Sequence, residues 1–426
     1  MTSNPMKSKA MTLNPRLNRN HPLPLASARM GVEGAPLTRR ALGASLVLGL
    51  GLTLAGCMAP FSGRPPGFVG GFSPEPESEA IGDGDVRVAL ILPLSASGAG
   101  GAAARDLRNA AQLALEEFDD PAISLSIKDD RGSAEGAREA AREAIAEGAE
   151  LILGPLFAAS VQAAGEVARE NGVPVIAFST DASVARQGVF LMGFLPRAEV
   201  RRIIGHAAGE NRRDVAALIP ESGYGEVAEA AFRDAARQRG MRIVALERYR
   251  PGSPGDAVRR IGTAISGGSP RADALFLPDT PDSLPAVARA LSDAGFDPGR
   301  VKPLGTGVWN DPDILGLPAL RGGWFAGPPQ AGFDAFSQRY SSRFGGDPVR
   351  IATLAYDGVS LAAALTRTQG DQRFAESILT NTSGFAGADG VFRFNRDGSN
   401  DRGYAVYEVR DGRATTIAAA PQALGS

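Results

Sequence analysis

Five short polar clusters, most of them just after an apolar run, carry the chemistry this chain is equipped for. Ser95 and Ser97 lead into Gly98-Ala99-Gly100-Gly101, and free backbone N–H groups at a helix start suit a carboxylate or another anion. A flexible loop packing small residues against a sheet explains the same stretch equally well. Ser179-Thr180-Asp181-Ala182-Ser183 offers hydroxyls and a carboxylate, and Asp181 or Ser183 would also serve as the cap of a following helix. Tyr224, in Glu221-Ser222-Gly223-Tyr224-Gly225, brings a ring that covers a ligand while its hydroxyl stays polar, or else a packed loop aromatic. Asp279, Thr280 and Asp282 form the fourth cluster and Trp309, Asn310 and Asp311 the fifth. Trp309 either lines a binding site or covers a core.

These are groups for holding a molecule, with no pattern for breaking one. No G-x-S-x-G elbow, P-loop, H-E-x-x-H or EF-hand loop occurs. Gly98, Gly100 and Ala103 satisfy G-x-G-x-x-A, but Pro93 to Ser97 separate them from the preceding apolar run, where a dinucleotide fingerprint needs an immediate turn. The single Cys57 rules out intramolecular disulfides and thiolate zinc clusters, and two histidines, His21 and His206, leave no histidine-rich metal site. The expectation is a non-enzyme without cofactor or metal. Arg197, Arg201, Arg202, Arg212 and Arg213 read most simply as a solvated face, and otherwise as a surface for an acidic partner.

The elements that position these clusters alternate. Arg87–Leu92 is a buried-strand candidate followed by a helix over Ala102–Phe118; Ile123–Lys128 is followed by a helix over Ala134–Glu147. Leu151–Leu153, a helix over Val161–Glu170 and Val175–Phe178 continue the series. The rhythm restarts after Pro196 with helix Val200–Gly209, strand Val215–Ile219, helix Val227–Arg239 and strand Arg242–Leu246. Helix Ala257–Ser266, strand Ala274–Leu277, helix Ser283–Ala294 and strand Val301–Leu304 follow. Such alternation implies βαβ units and a parallel sheet. Two series in 426 residues predict two doubly wound α/β lobes. Phe333–Phe344 and Ile351–Thr368 read as helices, and Val391–Asn395 and Tyr404–Val409 as strands with turns at Asp397-Gly398 and Asp411-Gly412.

The first 85 residues read differently. Arg39-Arg40, a run of about 14 mostly apolar residues and a small-residue end follow the order of a secretory signal. Leu54-Ala55-Gly56-Cys57 resembles the lipobox of bacterial lipoproteins, which implies lipidation of Cys57 after removal of residues 1–56; translation from Met30 would give such a signal an ordinary length. The mature chain would hold 38 basic and 46 acidic residues, a net of −8. That balance gives no basis for nucleic acid binding. Residues 57–85, rich in Pro, Gly, Ser and Glu, read as a flexible tether.

Seven pieces in order resemble the type I periplasmic solute-binding proteins of the leucine/isoleucine/valine kind. They are Val88-Ala89-Leu90-Ile91-Leu92-Pro93-Leu94-Ser95, Lys128-Asp129-Asp130, Leu153-Gly154-Pro155-Leu156, Gly172-Val173-Pro174-Val175-Ile176, Ser222-Gly223-Tyr224-Gly225, Ala355-Tyr356-Asp357-Gly358 and the segment Gly387 to Gly398. The resemblance implies two lobes, residues 86–195 with 328–400 and residues 196–327 with 401–418, joined by three crossovers around a ligand cleft that closes by hinge motion. It implies cleft roles for Ser95, Ser179, Thr180, Asp181, Tyr224, Asp279 and Trp309, and for Ala158 through its backbone N–H.

In amino-acid-binding relatives a serine after G-P-L holds the ligand carboxylate; here Phe157 and Ala158 occupy those positions. Asp181 lies near the position of the relatives' threonine, where a carboxylate accepts from an ammonium or hydroxyl group instead. These departures, with Leu92-Pro93-Leu94-Ser95 and Gly154-Pro155-Leu156-Phe157, resemble the penicillin-binding-protein activators. That resemblance implies a periplasmic lipoprotein partnered with a peptidoglycan synthase; the alternative is the capture component of an importer, partnered with an ABC permease. Met58 after Cys57 implies the outer membrane by the lipoprotein rule.

Overall fold

The computed structural model describes residues 11–12 and 79–424, which belong to one compact unit. Cys57, the signal segment and most of the expected tether lie outside the described residues. Among the described residues no helix is long and apolar enough to cross a membrane.

The first lobe is built on a six-stranded sheet. β1 (Glu79–Ile81) runs antiparallel at one edge, and β2 (Val86–Leu92), β3 (Ile123–Asp129), β4 (Leu151–Leu153), β5 (Val175–Ala177) and β6 (Val189–Leu191) are parallel, in the order β1-β3-β2-β4-β5-β6. The period of two along β2 sends Val88, Leu90 and Leu92 to one face and Ala89 and Ile91 to the other. Both faces are buried, as a strand covered by crossover helices requires. α1 (Gly98–Glu117) covers the first face; α2 (Ala134–Ala146) and α3 (Ala158–Glu170) cover the second. In α2 the alanines at 137, 140, 141 and 144 make a small-residue stripe at helical spacing, and Ser133 caps the start by accepting from Gly136 N–H.

The second lobe repeats the plan. α4 (Pro196–Gly209), β7 (Asp214–Pro220), α5 (Gly223–Gln238), β8 (Arg242–Tyr249), α6 (Gly255–Ile265), β9 (Ala274–Phe276), α7 (Leu284–Asp293), β10 (Lys302–Gly305) and β11 (Trp324–Gly327) alternate along the chain. α8 (Gln330–Phe344) and α9 (Ala352–Gln369) return to the first lobe, packing Phe336, Tyr340 and Leu361 into its core. A small sheet of β12 (Phe385–Gly387), β13 (Gly390–Phe394) and β14 (Asn400–Arg402), antiparallel to one another and edged by residues Met11–Thr12 paired parallel with β12, adds Phe385, Phe392 and Phe394 to that core. β15 (Ala405–Arg410) and β16 (Arg413–Ala418) then close the second sheet, whose order is β16-β15-β11-β10-β9-β7-β8. The β15–β16 loop is Asp411-Gly412, both at positive φ, as a two-residue type I′ turn demands. The chain crosses between lobes three times, before α4, after β11 and after β14.

The start of the first lobe departs from the sequence reading in two ways. α1 starts at Gly98, inside the glycine-rich stretch: a Cβ on Gly101 would lie 1.9 Å from the Ala96 carbonyl oxygen, so only glycine lets the helix begin so close to the loop. Glu79–Ile81, within the expected tether, is an edge strand paired with Leu125–Ile127.

Candidate ligand-binding site between the lobes

In an open parallel sheet a ligand sits beyond the strand carboxyl ends, where the strand order reverses. In the first sheet that point lies between β2 and β4, because β2 pairs with its successor β3 on one side and with β4 on the other. In the second sheet it lies between β7 and β9. The strand-to-helix junctions there carry Ser95, Leu156 and Phe157 in the first lobe, and Ser222, Tyr224 and Asp279 in the second.

Tyr224 stands in the first turn of α5. Ser222 caps that turn by accepting from Gly225 N–H, and a Cβ on Gly225 would lie 2.0 Å from the Pro220 carbonyl oxygen. The tight junction fixes the ring, whose hydroxyl is 2.7 Å from Thr306 Oγ1. Burial, with the charges of Glu199 and Asp279 nearby, holds the phenol above its ordinary range, so it remains a neutral donor. Asp279 is buried, accepting from Thr280 N–H and from the Tyr249 hydroxyl at the end of β8. Glu199, in the first turn of α4, accepts from Gly307 N–H; burial raises its carboxyl to about 8, so it is protonated at neutral pH. Thr306, Tyr249 and Glu199 were not singled out in the sequence, and no local motif marks them.

In the first lobe, Ser95 is exposed and its N–H donates to Asp129 at 3.3 Å. Burial pushes the Asp129 carboxyl up, but hydrogen bonds from Ser95 and from Arg131 N–H outweigh it and hold the group below its ordinary value. Ser179 is buried and accepts from Asp181 N–H. Thr180 and Asp181 are exposed beside it. Asp181 caps the single turn Ala182–Val184 by accepting from Ser183 N–H at 2.9 Å, and its second oxygen accepts no hydrogen bond among the described residues. Ala158 opens α3 half-buried, packed on the second-face core. Phe157 is 38% exposed, its ring lying over Gly100 at the start of α1 and close to Gly132. An aromatic edge therefore stands beside the start of α1.

Trp309 departs from its expected site role. It is fully buried in the second-lobe core, near Phe325, with its ring pressed on Gly305, where a Cβ would lie 2.0 Å from an indole carbon. The one-turn helix Gly307–Trp309 folds it back onto Gly305, the last residue of β10, where it is buried in the core. Among the described residues no hydrogen bond or ion pair joins the loops at 95, 157 and 179–183 to those at 222–224, 279–283 and 306–311.

Two doubly wound lobes, three crossovers and polar loops at paired switch points define a bilobal solute-binding architecture. A family model described as periplasmic binding protein matches residues 85–414, and the chain belongs to that family. The fold is shared with a Rhodospirillum rubrum protein assigned to branched-chain amino acid ABC transport, at 22% identity, covering 78% of this chain and 99% of that one, with a TM-score of 0.69. It is shared also with the leucine-binding protein of Thermotoga maritima, at 22% identity, 79% and 98% coverage and a TM-score of 0.57. A solute-binding protein from Rhodopseudomonas palustris in complex with 3,4-dihydroxybenzoic acid aligns at 21% identity, 80% and 98% coverage and a TM-score of 0.59. Among curated sequences, an uncharacterized Rickettsia prowazekii protein is 25% identical over 159 residues, which span 36% of this chain and 43% of that protein.

Proposed function

We propose that the protein captures a small polar solute between its lobes, as the binding component of an importer, and releases it unaltered to an ABC permease. The observation that carries this reading is the Tyr224–Thr306 hydroxyl pair beside Asp279 at the second switch point, set in a lobe whose partner offers Ser95, Thr180 and Asp181. Two carboxylates and several hydroxyls favour a solute bearing ammonium or hydroxyl groups. Phe157 and Leu156 supply an apolar edge for its carbon skeleton. The amino acids and aromatic acids named for the structural relatives set the first panel of candidates. In this reading Cys57 carries the lipid that keeps the protein at a membrane facing the periplasm, and residues beyond it act as a tether.

A thermal-shift screen of the purified protein against amino acids, amines and hydroxylated aromatic acids tests the proposal. The expected result is a dose-dependent rise in Tm with one class of solute, lost in Tyr224→Ala while that variant melts cooperatively. A flat response across the panel contradicts it. The second reading, regulation of a peptidoglycan synthase, draws on Phe157 standing in place of a ligand-binding hydroxyl. Retention of such a synthase on the immobilised protein, with no solute response, would favour it.

A further inference from the structure

Away from the strand ends, the second lobe holds a pocket of about 580 Å³ between α4, the end of α5 and the C-terminal residues Ala419 and Pro421. Four arginines line it: Arg201 and Arg202 from α4, Arg239 just past α5, and Arg402 at the third crossover. Asp401 neutralises Arg201 at 2.8 Å. The other three make no ion pair with any described residue. Arg202 donates only to carbonyl oxygens, those of Tyr404 at 3.0 Å and Ala419 at 3.2 Å, and burial holds it below its ordinary range. Arg402 is 5% exposed, held between the rings of Phe194 and Phe392 at 5.0 Å from each centroid. It donates to the Met192 carbonyl oxygen and leaves Nε and Nη1 without partners. The buried Asp357 acts on it only through space. Arg239 lies over Gly205, where a Cβ would be 3.4 Å from its Nη2. Glu210 is the one carboxylate on the lining, and His206 adds a ring whose Nε2 is unpartnered.

A buried guanidinium that no carboxylate directly bonds is costly, and a planar fork with unused donors matches an oxyanion. We propose that this pocket is a second binding site, for a small multiply charged oxyanion bearing phosphate or carboxylate groups. Its volume falls within the range of small-molecule pockets, and its deepest cation, Arg402, is out of reach of a flat protein surface. The proposal is independent of the solute held between the lobes.

Calorimetric titration of the full chain at low ionic strength with inorganic phosphate and with citrate tests it. Saturable binding of at least one is expected, weakened about tenfold in Arg239→Gln, a solvent-side variant that leaves the fold intact. Filling the pocket with Gly205→Leu should abolish binding, whereas Tyr224→Ala should leave it unchanged. Sedimentation with phosphatidylglycerol vesicles separates the sources: capture that depends on Arg239 identifies a lipid headgroup, and no capture beside phosphate or citrate binding identifies a free anion. Failure to bind phosphate, citrate and vesicles overturns the proposal. So does equal binding by wild type, Arg239→Gln and Gly205→Leu, which would mark diffuse surface charge.

Discussion

The indole of Trp309 fills the space beside Gly305 and Gly323, so these glycines set what the position tolerates. Trp309→Ala should cost about 3–5 kcal/mol of stability by the large-to-small rule, and Gly305→Ala about 1–3 kcal/mol by overpacking. Denaturant titration at constant m-value measures both. Trp309→Ala should not reduce solute affinity in the fraction that folds, since the side chain is fully buried and offers the solute no surface. Tyr224 behaves oppositely. Tyr224→Phe removes the bond to Thr306 and a donor for the solute, worth about 1 kcal/mol, so affinity should fall about fivefold with little change in Tm. Tyr224 was legible because its motif follows a strand. Thr306 was not, because its partner lies 82 residues away and no local pattern encodes such a pairing. Trp309 was ambiguous in sequence because a large amphipathic ring after a strand suits a site and a core alike; only the glycines opposite decide it.

Within each lobe, a buried carboxylate braces one element against a loop. Asp357 on α9 accepts from Ala388 N–H at 2.7 Å, and burial raises its carboxyl to about 7. Glu199 on α4 is raised to about 8 in the same way. An unfolded Asp titrates near ~4, so from about pH 4 to 7 the native state keeps a proton that the unfolded chain has released. Stability from this group is therefore full at acid pH and declines as pH rises through the folded value. Paired carboxylates held low, such as Asp401 with Arg201 and Arg393, act in the opposite sense on acidification, so the variant must be compared with wild type at each pH. Asp357→Asn keeps the acceptor for Ala388 and removes the titration. Its Tm relative to wild type should climb between pH 4 and pH 8; a constant difference contradicts the assignment. The strands and helices of both lobes were readable because burial on two faces writes continuous apolar runs. Glu79–Ile81 escaped because a three-residue edge strand carries no such run, and Val189–Leu191 and Trp324–Gly327 were not read as strands either.

On the scale of the whole molecule, each lobe completes its own pair of cores, and three short crossovers join them. Hydrogen bonds between the lobes lie at these crossovers, among them Asn310 to Gln330 at 3.0 Å and Arg201 on α4 to Asp401 on β14 at 2.8 Å. In the proposed reading, the loops at the switch points approach one another around a solute. Two series of alternating elements made the bilobal plan legible from sequence, whereas the solute is not, because its specificity is set by side chains brought together from strands far apart in the chain. The most direct test is small-angle scattering of the protein titrated with the solute selected by thermal shift. The account predicts a fall in radius of gyration that saturates with binding and is absent in Tyr224→Ala. A bound solute that leaves the scattering unchanged, or an equal compaction in the variant, would contradict capture between the lobes.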